Sequence, residues 1–303
     1  MEKTSLPCIT GCGPIQMGYG PDLSLFPHLE SDRWKVVFGT ISRSTHNLFN
    51  EGVIAAQKIS QETNGPVDVY YSGGIDGEFA LHCFMSAGVS FRVVSIEFEN
   101  SLNDHDLIYA HRFKSKYPKL NYVDYKIDIR NFLDSKESEN LAEFSLCSVP
   151  HLLVLMKFAA ESSNALVLAT GEPYIKKTHE GWFLRERESI ASLYRFFKRH
   201  DIKGTHAFFQ HTNELFYSYL ADPVIKSLAD NQFIGKESSM SSRNRLYSQY
   251  AMCEERTKFH GYEKIENIVG EIQTKLEKKY TRHNQVAYFE YLDLLKKLGG
   301  SFG

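Results

Sequence analysis

Tyr71-Ser72-Gly73-Gly74-Ile75-Asp76-Gly77-Glu78 follows the apolar run Val67-Asp68-Val69-Tyr70 and opens an apolar-periodic segment from Phe79 to Phe84. The pattern predicts a strand, a Ser-Gly-Gly turn and then a helix. Such a turn aims backbone N–H groups and the positive end of a helix at one point, which suits a phosphate. Gly73 and Gly74 let the backbone come close and accept positive φ. Asp76 stands where a carboxylate could hold Mg²⁺ against phosphates. The bland alternative is an ordinary Gly-rich strand-turn-helix connection.

Outward from this stretch the chain alternates. Strand Val67–Tyr71 leads to helix Glu78–Ala87, stopped by Gly88. Strand Phe91–Phe98 leads to helix Asn103–Tyr117, stopped by Pro118, and strand Tyr122–Ile127 to a helix near Ile129–Asp134. Helix Pro150–Glu161 then leads to strand Ala165–Thr170. Strand-helix units of this length predict an α/β fold, a doubly wound parallel sheet with helices on both faces. Ligands of such sheets bind beyond the carboxyl ends of the strands, where Ser72, Glu99 and Gly171 all fall.

The flanks differ. Residues 1–33 are rich in Gly and Pro and read as an irregular arm. Trp34–Phe38 reads as a short strand and His46–Thr63 as a helix. After Glu172 a hairpin is expected within Thr178–Glu188. Helices are expected over Glu214–Leu228, Arg245–Phe259, Glu263–Lys279 and Asn284–Leu298, giving a mainly helical C-terminal part. The organisation predicted is residues 1–64 as an N-terminal arm, strand and helix, 65–175 as the α/β core, and 176–303 as a helical region completing the site.

Composition sets bounds. The 303 residues are 42% hydrophobic and 24% charged, as in an ordinary globular protein. Lys plus Arg number 35 against 37 Asp plus Glu, a net charge of -2, so there is no basic excess of the kind a sequence-independent nucleic-acid binder shows. Cys8, Cys12, Cys83, Cys147 and Cys253 lack zinc-site spacing and read as free thiols of a reducing compartment. No signal-like or membrane-length apolar run is present, and a cytoplasmic location without membrane contact is expected. Helices 263–279 and 284–298 carry apolar faces that could pack internally or form a homodimer.

The words Ser72-Gly73-Gly74-Ile75-Asp76 resemble the pyrophosphate (PP) loop of the ATP pyrophosphatases, the adenine-nucleotide alpha-hydrolase-like superfamily, nearest its asparagine synthetase-like branch. The family pattern is Ser-Gly-Gly-x-Asp-Ser, and here Gly77 stands in place of the last Ser. The resemblance covers residues 65–175 well and 210–260 loosely. It implies a Rossmann-like core that binds ATP with Mg²⁺ and places the phosphates on Ser72, Gly73, Gly74, Ile75, Asp76 and Gly77. It implies that the strand end at Ile96 and Phe98 cradles adenine through backbone groups. It matches Gly171 and Glu172 to a strand-end Gly-Glu segment, with Glu172 a candidate metal ligand or base beside Asp76. It also makes Lys236 and Arg243, with Arg245 nearby, candidates to neutralise charge as the α–β phosphate bond breaks. Asn103 or Asp104 reads as a helix cap, and His105 as a surface histidine near a helix start.

The implied activity is adenylation of a substrate oxygen with release of pyrophosphate, followed by displacement of AMP by an amine or ammonia. The substrate is a small molecule or a modified macromolecule that the sequence does not identify. Position 2 is Glu, so no glutaminase nucleophile is expected there. No Cys pair suits a thiolating relative, and Cys147 and Cys253 read as inert buried thiols. The closing Gly-Gly-Ser-Phe-Gly lacks the catalytic Cys motif of the sulfonucleotide reductases. The rival readings are a non-catalytic nucleotide-binding sensor or partner subunit with a degenerate loop, and a doubly wound fold that binds no nucleotide.

Overall fold

Along β3 (Val67–Tyr70) and β6 (Ala165–Leu168) every residue is buried, and successive side chains enter different cores. Val67, Val69, Ala165 and Val167 pack in one cluster, whereas Tyr70, Leu166 and Leu168 pack in another. Both faces of these strands are therefore covered, the condition for a parallel sheet. The computed structural model describes residues 15–29, 32, 34–185, 188–225, 227, 239–250, 253–257, 263–281 and 288–300.

The main sheet has five strands. With β4 (Arg92–Phe98), β5 (Asn121–Ile127) and β9 (Gly204–Thr205), its order is β5-β4-β3-β6-β9, all pairs parallel. The chain winds outward from β3 through β4 to β5, then returns to the other side of β3 for β6. The switch point lies between β3 and β6, where such sheets open a crevice at their carboxyl edge. Helices α1 (Leu48–Thr63), α2 (Ile75–Ala87) and α3 (Asp104–Lys116) bury Ile59, Phe79, Phe84 and Phe113 on one face. Helices α4 (Ile129–Leu133), α5 (Lys136–Ser145) and α6 (Pro150–Glu161) cover the other, with Phe132, Ala142 and Leu153 buried. The expected doubly wound α/β fold is present.

Several boundaries differ from the sequence reading. Within the arm, Gln16–Tyr19 forms strand β1, antiparallel to β2 (Trp34–Val37). Tyr19 and Trp34 pack around fully buried Arg195, whose guanidinium lies 4.5 Å from the Trp34 ring and donates to the Tyr19 hydroxyl at 2.9 Å. Helix α5 was not expected. Its sequence is largely polar, and the Ser135 hydroxyl that accepts from Ser138 N–H supplies its start.

The C-terminal part is less purely helical than expected. The hairpin is β7 (Tyr174–Thr178) with β8 (Gly181–Arg185), and β10 (Tyr288–Glu290) adds a third strand. The expected helix 284–298 therefore begins only at Tyr291. The helices here are α7 (Glu188–Arg199), α8 (Asn213–Ala221), α9 (Ser239–Ser248), α10 (Glu263–Tyr280) and α11 (Tyr291–Gly299). The helix expected over Arg245–Phe259 is instead α9, which stops at Ser248, and residues 253–257 are coil. Ile265 and Val269 of α10 and Leu294 and Leu298 of α11 are buried within the chain's own cores. No single helix among the described residues is long and apolar enough to cross a membrane.

Candidate functional site

The turn after β3 forms as its residues demand. Tyr71 continues the strand, its N–H donating to the Val94 carbonyl at 2.8 Å, and Gly73 then takes φ +97°. A Cβ at Gly73 would lie 1.9 Å from the Asp106 carbonyl oxygen, so α3 seats directly on the turn. Gly74 caps α2 with no side chain, leaving the first N–H groups of that helix to the turn. Ser72 and Gly74 are exposed, whereas Ile75 is buried in the core.

Beyond this turn lies a cavity of ≈ 590 Å³ at the carboxyl edge of β3, β4 and β6. Ser72, Gly74, Asp76 and Gly77 line it on the turn side; Ile96, Phe98, Leu152 and Val269 form apolar walls. His151 and Thr170 add polar groups on the far side. His151 lines the cavity at its solvent-exposed side.

The first turn of α2 carries two carboxylates, and each meets an arginine from the C-terminal part. Arg243 of α9 donates to Asp76 Oδ2 at 2.7 Å, and the Tyr247 hydroxyl donates to Asp76 Oδ1 at 2.6 Å. The Asp76 charge raises the Arg243 pKa against the opposing effect of burial. Arg256 donates to Glu78 Oε2 at 2.5 Å, to the Gly73 carbonyl at 2.7 Å and to the Tyr71 hydroxyl at 3.0 Å. Glu78 also accepts from the Glu254 N–H at 3.1 Å. Without these partners the two carboxylates would oppose an anion at the helix start.

Glu172 is buried with one oxygen 4.0 Å from Arg243, so Arg243 faces both carboxylates suggested for Mg²⁺. An ion bridging Asp76 and Glu172 would take the place of that guanidinium. This donor set fits an arginine better than Mg²⁺, and among the described residues no group of three or more His, Cys, Asp or Glu could hold a metal ion.

Of the other expected residues, Gly171 takes φ +82° and packs against Ala207 and Gln210 rather than lining the cavity. Arg245 is exposed, and Lys236 lies outside the described residues. His105 is not the surface histidine expected: its side chain is 10% exposed and 3.5 Å from Asp106. Cys83 and Cys147 are buried free thiols and Cys253 is half-buried; burial raises Cys147 to about 11, consistent with inert thiols. Cys8 and Cys12 lie outside the described residues. The sequence reading missed Tyr247, Arg256 and His151.

Gly77, where the resembling loop pattern has Ser, is packed against Tyr71. A Cβ on Gly77 would lie 2.8 Å from Cδ2 of the Tyr71 ring. Gly77→Ser is therefore expected to lower stability by about 1–3 kcal/mol, the usual cost of overpacking. Thermal denaturation of the variant beside wild type measures this, and an unchanged midpoint would show that the Tyr71 ring can retreat.

No family model matches the chain, and no curated protein matches it. Solved structures similar to it include the NH3-dependent NAD synthetase from Campylobacter jejuni, at 14% identity and TM-score 0.32, covering 78% of this chain and 94% of that one. The NMN synthetase from Francisella tularensis is similar at 14% identity and TM-score 0.31, covering 70% and 96%. The U34-tRNA thiolase NcsA from Methanococcus maripaludis is similar at 12% identity and TM-score 0.34, covering 82% and 80%.

Proposed function

We propose that this chain is an ATP-binding enzyme of the pyrophosphate-loop type. In this reading it adenylates a substrate oxygen, releases pyrophosphate, and lets an amine or ammonia displace AMP. The observation that carries the reading is the Ser72–Gly77 turn: it opens α2 toward the cavity at the switch point of the sheet, with Arg243 paired to Asp76 beside it.

The roles follow from position. Attack of the substrate oxygen at the α-phosphorus breaks the bond to the bridging oxygen and puts charge on the departing pyrophosphate. The turn's N–H groups, the start of α2 and Arg243 receive that charge. The apolar walls at Ile96, Phe98 and Val269 take the base and exclude water. His151 and Thr170 face the same cavity and are the groups available to a substrate. No step is assigned to a metal ion, since Arg243 stands between Asp76 and Glu172.

A second reading, nucleotide binding without turnover, draws on one observation. The position of the family's last loop hydroxyl is a glycine against which Tyr71 packs. Calorimetric titration of Mg·ATP, followed by assay for AMP and pyrophosphate, separates the readings. Binding with AMP formation supports the enzyme, binding alone supports the second reading, and no binding overturns both. Arg243→Met is expected to weaken ATP binding by about tenfold or more, since it removes the charged donor that stands between the phosphates and the Asp76 and Glu172 carboxylates. Equal affinity would take Arg243 out of the phosphate site.

A further inference from the structure

We propose that Asn103 is a built-in stand-in for a nucleobase edge, and that it sets how strictly the cavity reads the base of a bound nucleotide. The proposal rests on the nucleotide-binding reading above. Asn103 immediately precedes α3, yet its side chain makes no capping bond to that helix. It turns back to the end of β4 instead. There the Phe98 N–H donates to Asn103 Oδ1 at 2.8 Å, and Asn103 Nδ2 donates to the Ile96 carbonyl at 2.9 Å. All three residues line the cavity, and Asn103 is only 6% exposed.

The orientation of the amide is fixed by its partners, because a backbone N–H only donates and a C=O only accepts. A carboxamide so placed presents a planar donor next to an acceptor. The 6-amino group and N1 of adenine present the same pair in the same plane. The 6-oxo group and N1–H of hypoxanthine present it reversed. The strand-end pair that would tell these bases apart is thus already satisfied by the protein. An adenine that engages it must displace Asn103 and exchange two hydrogen bonds for two, gaining little. Removing the side chain leaves the Phe98 N–H without its partner on the cavity wall, where adenine can satisfy it through N1, whereas hypoxanthine presents N1–H in that orientation and must shift its ring to bring O6 there.

The test is titration of ATP, inosine triphosphate and inorganic tripolyphosphate into wild type and Asn103→Ala. Wild type is expected to bind the two nucleotides within about threefold of each other. Asn103→Ala is expected to shift the ratio toward ATP by about tenfold, with tripolyphosphate unchanged. If Asn103→Ala does not fold, Asn103→Ser carries the same expectation, since one hydroxyl cannot bridge both backbone groups. The ratio is insensitive to a general loss of stability, which weakens both nucleotides alike. A ratio that stays put in the Ala or Ser variant, or a wild type that already prefers ATP by more than about tenfold, overturns the proposal and leaves Asn103 as a latch between β4 and α3. Tripolyphosphate binding with such a result would leave the loop reading standing; failure of all three probes to bind wild type would remove both.

Discussion

Gly73→Ala is expected to destabilise the chain by about 3 kcal/mol or more and, on the proposed reading, to abolish nucleotide binding. Two costs combine. At φ +97° an alanine adopts a backbone conformation that L-residues disfavour by about 1–2 kcal/mol. Its Cβ also falls 1.9 Å from the Asp106 carbonyl oxygen and 2.8 Å from the Asp106 carbonyl carbon, both backbone atoms that no rotamer change can move. The start of α3 must therefore shift away from the turn, taking the N–H groups of the turn out of register. Gly88 is the internal control: it takes φ +66° with nothing within 4 Å of a built Cβ. Gly88→Ala should cost only the conformational part, about 1 kcal/mol. Urea denaturation of both variants, with titration of ATP, reads the contrast. Equal midpoints would mean that α3 yields freely and that the turn is not set by it.

The second large effect is expected at Arg256. Arg256→Met should cost about 3–5 kcal/mol, because Glu78 is then left buried without its cation. The same substitution removes the bonds to the Gly73 carbonyl and the Tyr71 hydroxyl, so the turn loosens as the core weakens. The double variant Arg256→Met with Glu78→Gln should recover much of the loss, since neither charge is left unpaired. The pH dependence carries a sign. Burial would raise the Glu78 pKa, but the His82 ring 3.7 Å away and the Arg256 bond outweigh it, and the folded value lies below the ordinary 4.5. A depressed carboxyl stabilises the fold above its unfolded pKa, and that contribution is lost as the pH falls through the folded value. In Arg256→Met the burial effect loses the Arg256 bond and charge that oppose it, and the pKa rises. The gap in stability between variant and wild type should therefore narrow as the pH falls from about 7 toward 4.5. Denaturation at both ends of that range checks it; a constant gap would mean that Glu78 is not the group left stranded.

What could be read in the sequence was local. Val67, Val69 and the Gly73-Gly74 pair sit within one strand-turn-helix, so their meaning is carried by near neighbours. Helix α6 was legible from end to end because Pro150 opens it and its apolar run is long. The rest of the site depends on distant partners. Glu254-Glu255-Arg256 has the composition of a solvated surface, yet Arg256 is buried because Glu78 and the Gly73 carbonyl lie opposite it. Nothing near Arg256 in the sequence announces that pairing. Tyr247 is equally mute, since a tyrosine at helical spacing reads as core. Asn103 precedes a helix, where a capping role is the natural expectation, and only the fold shows its amide turned to the strand instead. The two residues of β9 are too few to carry any periodicity, and they become a strand because the edge of β6 is there to pair with.

The arginine clasp over the turn also bears on the order in which the protein can become complete. Arg243 meets Asp76 across 167 residues, and Arg256 meets Gly73 across 183. Contacts of such separation close late, after nearer elements have paired. On a growing chain the strands β3 to β6 are made before either arginine exists. The turn, its two glycines and its two carboxylates then wait as an acidic helix start, which repels anions. On the proposed reading, competence arrives only when the downstream segment folds back and neutralises it, so a nascent or truncated chain would carry the whole turn and still be unable to bind phosphate.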